Sequence, residues 1–91
     1  MGKKKVAIIG VTGSVGQEFV QSLNNHPWFE VTQIAASERS AGKKYLDAIK
    51  DASGIIAWDV AGEIPEYIKE MTVKSVDELD VSQLDLIFSA V

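Results

Sequence analysis

Val6-Ala7-Ile8-Ile9-Gly10-Val11-Thr12-Gly13-Ser14-Val15-Gly16 is an apolar, largely β-branched run that enters a turn with glycines spaced G-x-x-G-x-x-G. Four consecutive apolar residues are the pattern of a strand buried on both faces, as in a parallel sheet flanked by helices. Gly10 and Gly13 allow a sharp turn and a close approach of backbone to a ligand, and Gly16 allows the following helix to pack near the sheet. The first amides of that helix have no partner within it, and its dipole adds partial positive charge there. A pyrophosphate therefore fits on Thr12, Gly13, Ser14, Val15 and Gly16, and the stretch reads as the opening strand-turn-helix of a dinucleotide-binding domain. The turn has one residue more between its first two glycines than the G-x-G-x-x-G fingerprint, so the reading rests on context: a strand before and an amphipathic helix after.

The rest of the composition fits one α/β domain or part of one. The chain has 91 residues, 46% of them hydrophobic, and no cysteine, which rules out a disulfide framework, thiol nucleophiles and thiolate metal ligands within it. One histidine and scattered carboxylates form no metal-ligand pattern, so no metal site is expected. Lys3-Lys4-Lys5 precedes only a four-residue apolar run, too short for a signal peptide or membrane span, and the expected location is the cytoplasm. The net charge of −4 is uneven: residues 1–46 carry six Lys/Arg against three Glu, whereas residues 47–91 carry three Lys against ten Asp/Glu. The basic half holds the glycine turn, which suits a phosphate ligand, but its excess is too small to indicate nucleic acid.

Beyond the turn, Val15, Phe19, Val20 and Leu23 fall on one helical face, and Asn24-Asn25-His26-Pro27 ends the helix. His26 reads as a capping or packing residue, and Trp28 and Phe29 as core. Glu30–Ala36 is the second strand. At its end, where an Asp or Glu would bind the ribose 2′-hydroxyl of NAD, stands Ser37, 21 residues past Gly16. Arg39, Ser40 and Lys43-Lys44 follow, so hydroxyls and cations gather where NADP carries its extra phosphate, with Glu38 expected to face solvent. The expected cofactor is NADP(H). Residues 47–62 are the least legible. Pro65 opens a short helix over Glu66–Met71, Met71–Val76 is a third strand, Asp77–Asp80 a helical turn and Leu84–Val91 a fourth strand. With right-handed crossovers the expected fold is a partial Rossmann-type, doubly wound parallel sheet in order 3-2-1-4.

The segments G-V-T-G-S-V-G (10–16), N-H-P-W-F-E-V (25–31) and A-A-S-E-R-S-A-G-K-K-Y (35–45) resemble the N-terminal part of aspartate-semialdehyde dehydrogenases, the second most like the archaeal and fungal branch. The resemblance continues through I-P-E-Y-I-K-E-M and L-D-L-I-F-S-A, so it spans nearly the whole chain. It implies that residues 12–15 hold the pyrophosphate, that Ser37, Arg39 and Ser40 hold the 2′-phosphate, and that Ser89 and Ala90 border the nicotinamide side. It also implies NADPH-dependent reduction of aspartyl phosphate to aspartate semialdehyde through a cysteine and a histidine beyond residue 91. Residues 1–91 are then an incomplete NADP-binding domain that lacks the catalytic residues.

N-acetyl-glutamyl-phosphate reductases and malonyl-CoA reductases share the glycine turn, but commonly carry tyrosine or leucine where Ser14-Val15 stands here. A short-chain dehydrogenase is disfavoured because Tyr45 and Tyr67 are followed four residues on by Ile49 and Met71, not lysine. A different class is a non-catalytic nucleotide-binding module, since no nucleophile-base pair is visible. The last strand lacks a second neighbour in this sequence, which leads to an expectation of self-association through its edge or of marginal stability.

Overall fold

The computed structural model describes residues 2–91. Strand β1 (Lys4–Ile9) runs into the glycine turn and helix α1 (Ser14–Ser22), which returns the chain to strand β2 (Phe29–Ala36). Two single-turn helices follow, α2 (Tyr45–Ala48) and α3 (Glu66–Lys69), then strand β3 (Val73–Ser75), 3₁₀ turns at Val76–Glu78 and Val81–Gln83, and strand β4 (Leu86–Ser89). All pairings among the four strands are parallel and their order is β3-β2-β1-β4, as the crossover rule predicts.

The two faces of the sheet differ. Val6 and Ile8 of β1, Val31, Ile34 and Ala36 of β2 and Val73 of β3 pack with Val20, Leu23, Tyr45, Ile49 and Ile68 into one apolar cluster. Val31 and Ile34 reach the same side although three residues apart, because the β1–β2 register slips: Val6 pairs Val31 but Ala7 pairs Gln33, leaving Thr32 as a bulge residue. The opposite face carries the small buried residues Ala7 and Ala35 with Gln33. Gln33 donates to the Asp80 carbonyl (3.0 Å) and accepts from the Asp80 amide (2.8 Å), which pins the 3₁₀ segment to that side.

Helix α1 packs differently from its hydrophobic pattern. A Cβ on Gly16 would lie 2.7 Å from Val11 Cα, 2.8 Å from the Gly10 carbonyl carbon, and closer still to the Gly10 oxygen, so α1 turns this residue onto the strand exit. The buried row is therefore Gly16, Val20 and Leu23, at helical spacing. Val15 is rotated off the sheet and 57% exposed, whereas Gln17 is only 2% exposed. Phe19 rests on Phe88 of β4 with ring centroids 5.4 Å apart. Beyond α1, His26 Nδ1 accepts the Trp28 amide at 3.1 Å and its ring lies 4.9 Å from that of Phe29, a local packing role. Phe29 packs against the core, but Trp28 is 69% exposed. With β2 beginning at Phe29, alternation along the chain sends the preceding side chain outward.

The two sheet edges are finished unequally. The stretch 42–45 lies antiparallel to the start of β3, with Gly42 N donating to Val73 O (2.7 Å), Val73 N to Lys43 O (2.8 Å) and Tyr45 N to Met71 O (2.9 Å). Strand β4 has β1 on one side and, among the described residues, no strand on the other; Leu86 and Ile87 are 46% and 43% exposed. Asp85 caps the β1 side, accepting the Lys5 amide at 2.7 Å, and so does not guard the open edge. Among the described residues no helix is long and apolar enough to cross a membrane.

Candidate nucleotide-binding site

A cleft of about 640 Å³ opens at the carboxyl ends of β1 and β2. Thr12, Gly13 and Ser14 line one part, Ser37, Arg39, Ser40 and Lys43 another, and Ala48, Ile49, Ala52 and Ala57 supply apolar wall. Ligands of open α/β sheets bind outside the carboxyl ends of the strands.

The turn is fixed by backbone hydrogen bonds. Gly10 has φ +78°, in the left-handed region, and its amide and that of Val11 both donate to Ala35 O, at 2.9 and 3.2 Å. That ties the exit of β1 to the end of β2. Gly13 is the N-cap of α1 with φ −79°, so it needs no positive φ; a Cβ there would meet only Gly10 O, at 3.9 Å. No side chain caps α1 at this position, so the first-turn amides are left to a ligand or to water.

Two buried polar residues to which the sequence reading gave no part in the site fix the turn. Tyr45 is fully buried and donates its hydroxyl to Val11 O at 3.0 Å; burial holds its phenol well above the ordinary tyrosine value. Gln17 donates to Thr12 O and to Ala57 O, each at 3.0 Å, and accepts the Asp59 amide at 2.7 Å. It joins the turn to residues 57–59, which explains how that stretch becomes a cleft wall. The facing rim is shaped by Asp51: its carboxylate accepts the Ser53 hydroxyl (2.7 Å) and the amides of Ser53 (2.9 Å) and Ile55 (3.0 Å). Those hydrogen bonds hold its carboxyl below the usual range, the Ser53 hydroxyl first. An Asp-x-Ser-Gly sequence is a signal for such a turn.

The structure brings Thr12, Gly13, Ser14, Ser37, Arg39 and Ser40 to one cleft. Gly10 and Gly16 lie beneath the turn and Val15 is exposed at the start of α1; none of the three lines the cleft. Ser89 pairs with Ile9, and Ala90 donates to Ile9 O at 2.9 Å and lies against Gly10; neither lines the cleft. Lys43 lines the cleft but Lys44 does not: it is paired with Glu70 at 2.7 Å, and that partner raises the lysine pKa. Lys50 is engaged by Asp47 at 3.0 Å. Arg39 and Lys43 are thus the cleft cations without an ion-pair partner among the described residues. Glu38 is exposed and lines no part of the cleft. No cluster of metal-ligating side chains occurs among the described residues.

The family described as Semialdehyde dehydrogenase, NAD binding domain matches residues 5–91. The chain belongs to this family. The semialdehyde dehydrogenase resemblance read from the glycine turn and the 35–45 stretch is borne out by its relatives. The chain is 42% identical to the aspartate-semialdehyde dehydrogenase of Schizosaccharomyces pombe over 98% of its own length and 23% of that protein's. It is also 42% identical to that of Methanothermobacter thermautotrophicus, over 93% of this chain and 22% of that one. Among solved structures, Candida albicans aspartate-semialdehyde dehydrogenase with NADP superposes with a TM-score of 0.83 at 37% identity, covering 99% of this chain and 24% of that one. Aspartate-semialdehyde dehydrogenase II of Vibrio cholerae gives 0.65 at 27% identity, over 100% and 22%. This semialdehyde dehydrogenase domain therefore spans less than a quarter of the length of these relatives.

Proposed function

We propose that residues 1–91 are the cofactor-binding part of an aspartate-semialdehyde dehydrogenase and hold NADP(H) in the cleft described above. The observation that carries this reading is the meeting of Thr12–Ser14 with Ser37, Arg39 and Ser40 in one cleft. An uncapped helix start at Gly13, with open space where a side chain would stand, fits a pyrophosphate held on amides of Thr12, Gly13, Ser14, Val15 and Gly16, with Gly10 making the turn. Serine in place of an acidic residue at position 37, beside the Arg39 guanidinium that has no ion-pair partner among the described residues, fits a 2′-phosphate held by Ser37, Arg39 and Ser40. Ser89 and Ala90, against the Gly10 side of the turn, border the nicotinamide side. The NADP in the Candida albicans relative supports the choice of cofactor.

When bound, the cofactor would supply the hydride for reduction of an acyl phosphate, aspartyl phosphate in this reading, to aspartate semialdehyde, with release of inorganic phosphate. The residues of this chain bind and orient the cofactor. They include no cysteine, so the thiol of that reaction is supplied elsewhere in the enzyme. The enzyme acts in the cytoplasm, and the 91-residue chain alone self-associates through the open β4 edge, where apolar side chains and unpaired backbone groups are exposed together.

The test is titration of the chain with NADPH and with NADH, repeated on Arg39→Ala. A charge-assisted hydrogen bond contributes about 1.5–3 kcal/mol, so the variant should lose roughly 10- to 100-fold in NADPH affinity and little for NADH. Equal losses for both would overturn the 2′-phosphate assignment.

A further inference from the structure

We infer that Asp59 sets the affinity of the cleft: its carboxylate, held beside the start of α1, opposes the cofactor's pyrophosphate and weakens binding. This rests on the reading that the cleft takes NADP(H).

The wall residues 57–59 are not a free loop. Gln17 is buried, and its side-chain amide is bonded to Thr12 O, Ala57 O and the Asp59 amide, so the backbone at Asp59 is fixed relative to the turn. From that position Asp59 Oδ2 accepts a hydrogen bond from Ser14 Oγ at 3.2 Å. Ser14 is the first residue of α1, where the helix dipole and the uncapped amides favour an anion. A carboxylate is thus already directed at the part of the cleft a diphosphate would enter.

No ion pair neutralises it among the described residues. Arg39, Lys43 and Lys50 line the same cleft, yet none forms an ion pair with Asp59 among the described residues, and Lys50 is engaged by Asp47. A pyrophosphate arriving at Ser14 meets a like charge and must also take over the hydroxyl that Asp59 holds. Like charges a few ångströms apart in a water-lined cleft repel by an amount worth about tenfold in affinity. The pyrophosphate is common to NADPH and NADH, so this penalty falls on both, whereas the contribution of Arg39 falls on NADPH alone. A carboxylate that instead served as a hydrogen-bond acceptor for a ribose hydroxyl or an amino group would have the opposite effect on affinity.

The experiment is equilibrium titration of the 91-residue chain and its Asp59→Asn variant with NADPH, NADH and inorganic pyrophosphate. Asparagine preserves the shape and leaves the backbone bond to Gln17 in place; circular dichroism verifies the fold, and Asp59→Ala serves as a second variant. The expected result is about tenfold tighter binding of all three ligands by both variants. Unchanged or weaker binding by folded variants, with the wild-type chain binding NADPH, overturns the role of Asp59 alone. Failure of the wild-type chain to bind NADPH overturns the cleft assignment and this inference with it.

Discussion

Replacing Gly16 by alanine adds one methyl group where the structure has no room. The new Cβ would stand 2.7 Å from Val11 Cα and 2.8 Å from the Gly10 carbonyl carbon, and overlap the Gly10 oxygen. All three atoms are backbone, and Gly10 and Val11 are tied to Ala35 O, so no side chain can swing aside. Relief requires α1 to move off the strand exit, breaking its contact with β1. Overpacking of this kind costs about 1–3 kcal/mol, and a purely backbone clash belongs at or above the top of that range. Alanine recovers about 1 kcal/mol of helix propensity relative to glycine, so the net loss is about 2 kcal/mol or more. Gly13→Ala is the control: its φ is ordinary and the nearest atom to its Cβ is 3.9 Å away, so the fold should be retained while the methyl intrudes on the amides proposed to hold pyrophosphate. Urea denaturation followed by circular dichroism measures the stability of each variant and NADPH titration measures its binding. A Gly16→Ala protein within about 0.5 kcal/mol of wild type would refute the packing argument.

Two further outcomes are expected. Tyr45→Phe leaves the buried Val11 carbonyl without its hydroxyl partner and should destabilise the chain by about 1–3 kcal/mol; because burial raises the phenol pKa in the folded state, the tyrosine contribution is full below the ordinary value near 10 and is lost as pH rises above it, so stability measured against pH should fall less steeply above pH 10 in the variant. In analytical ultracentrifugation over a tenfold concentration range, the chain should show concentration-dependent association that Ile87→Lys on β4 suppresses; a monomer throughout would remove the β4 edge as a contact.

The strand-turn-helix and the sheet order were legible because each rests on a local rule. An apolar run long enough to be buried on both faces, glycines at a turn, and right-handed crossovers leave little choice of topology. Local rules failed where a distant residue decides. The packing of Gly16 near the sheet was legible from the glycine turn, but counting apolar residues still places Val15 inward and Gln17 outward, whereas Val15 is exposed and Gln17 is buried by its partners at residues 57–59. The slip at Thr32 cannot be read from alternation along β2, because it is a property of the pairing with β1. Residues 57–59 have no regular period, and it is Gln17, forty residues earlier, that makes them a wall. Position 44 looks equivalent to position 43 in sequence, and only the fold reveals that Glu70 claims one lysine and leaves the other to the cleft.

The central claim is that one ligand bridges the glycine turn and the end of β2. Backbone amide shifts in an NMR titration with NADPH test it residue by residue. Saturable shifts are expected at Thr12–Gly16 and Ser37–Lys43, with little change at Val81–Asp85 on the far side of the sheet; shifts centred on Val81–Ile87, or none at the turn under saturating NADPH, would show that the ligand does not bridge the two.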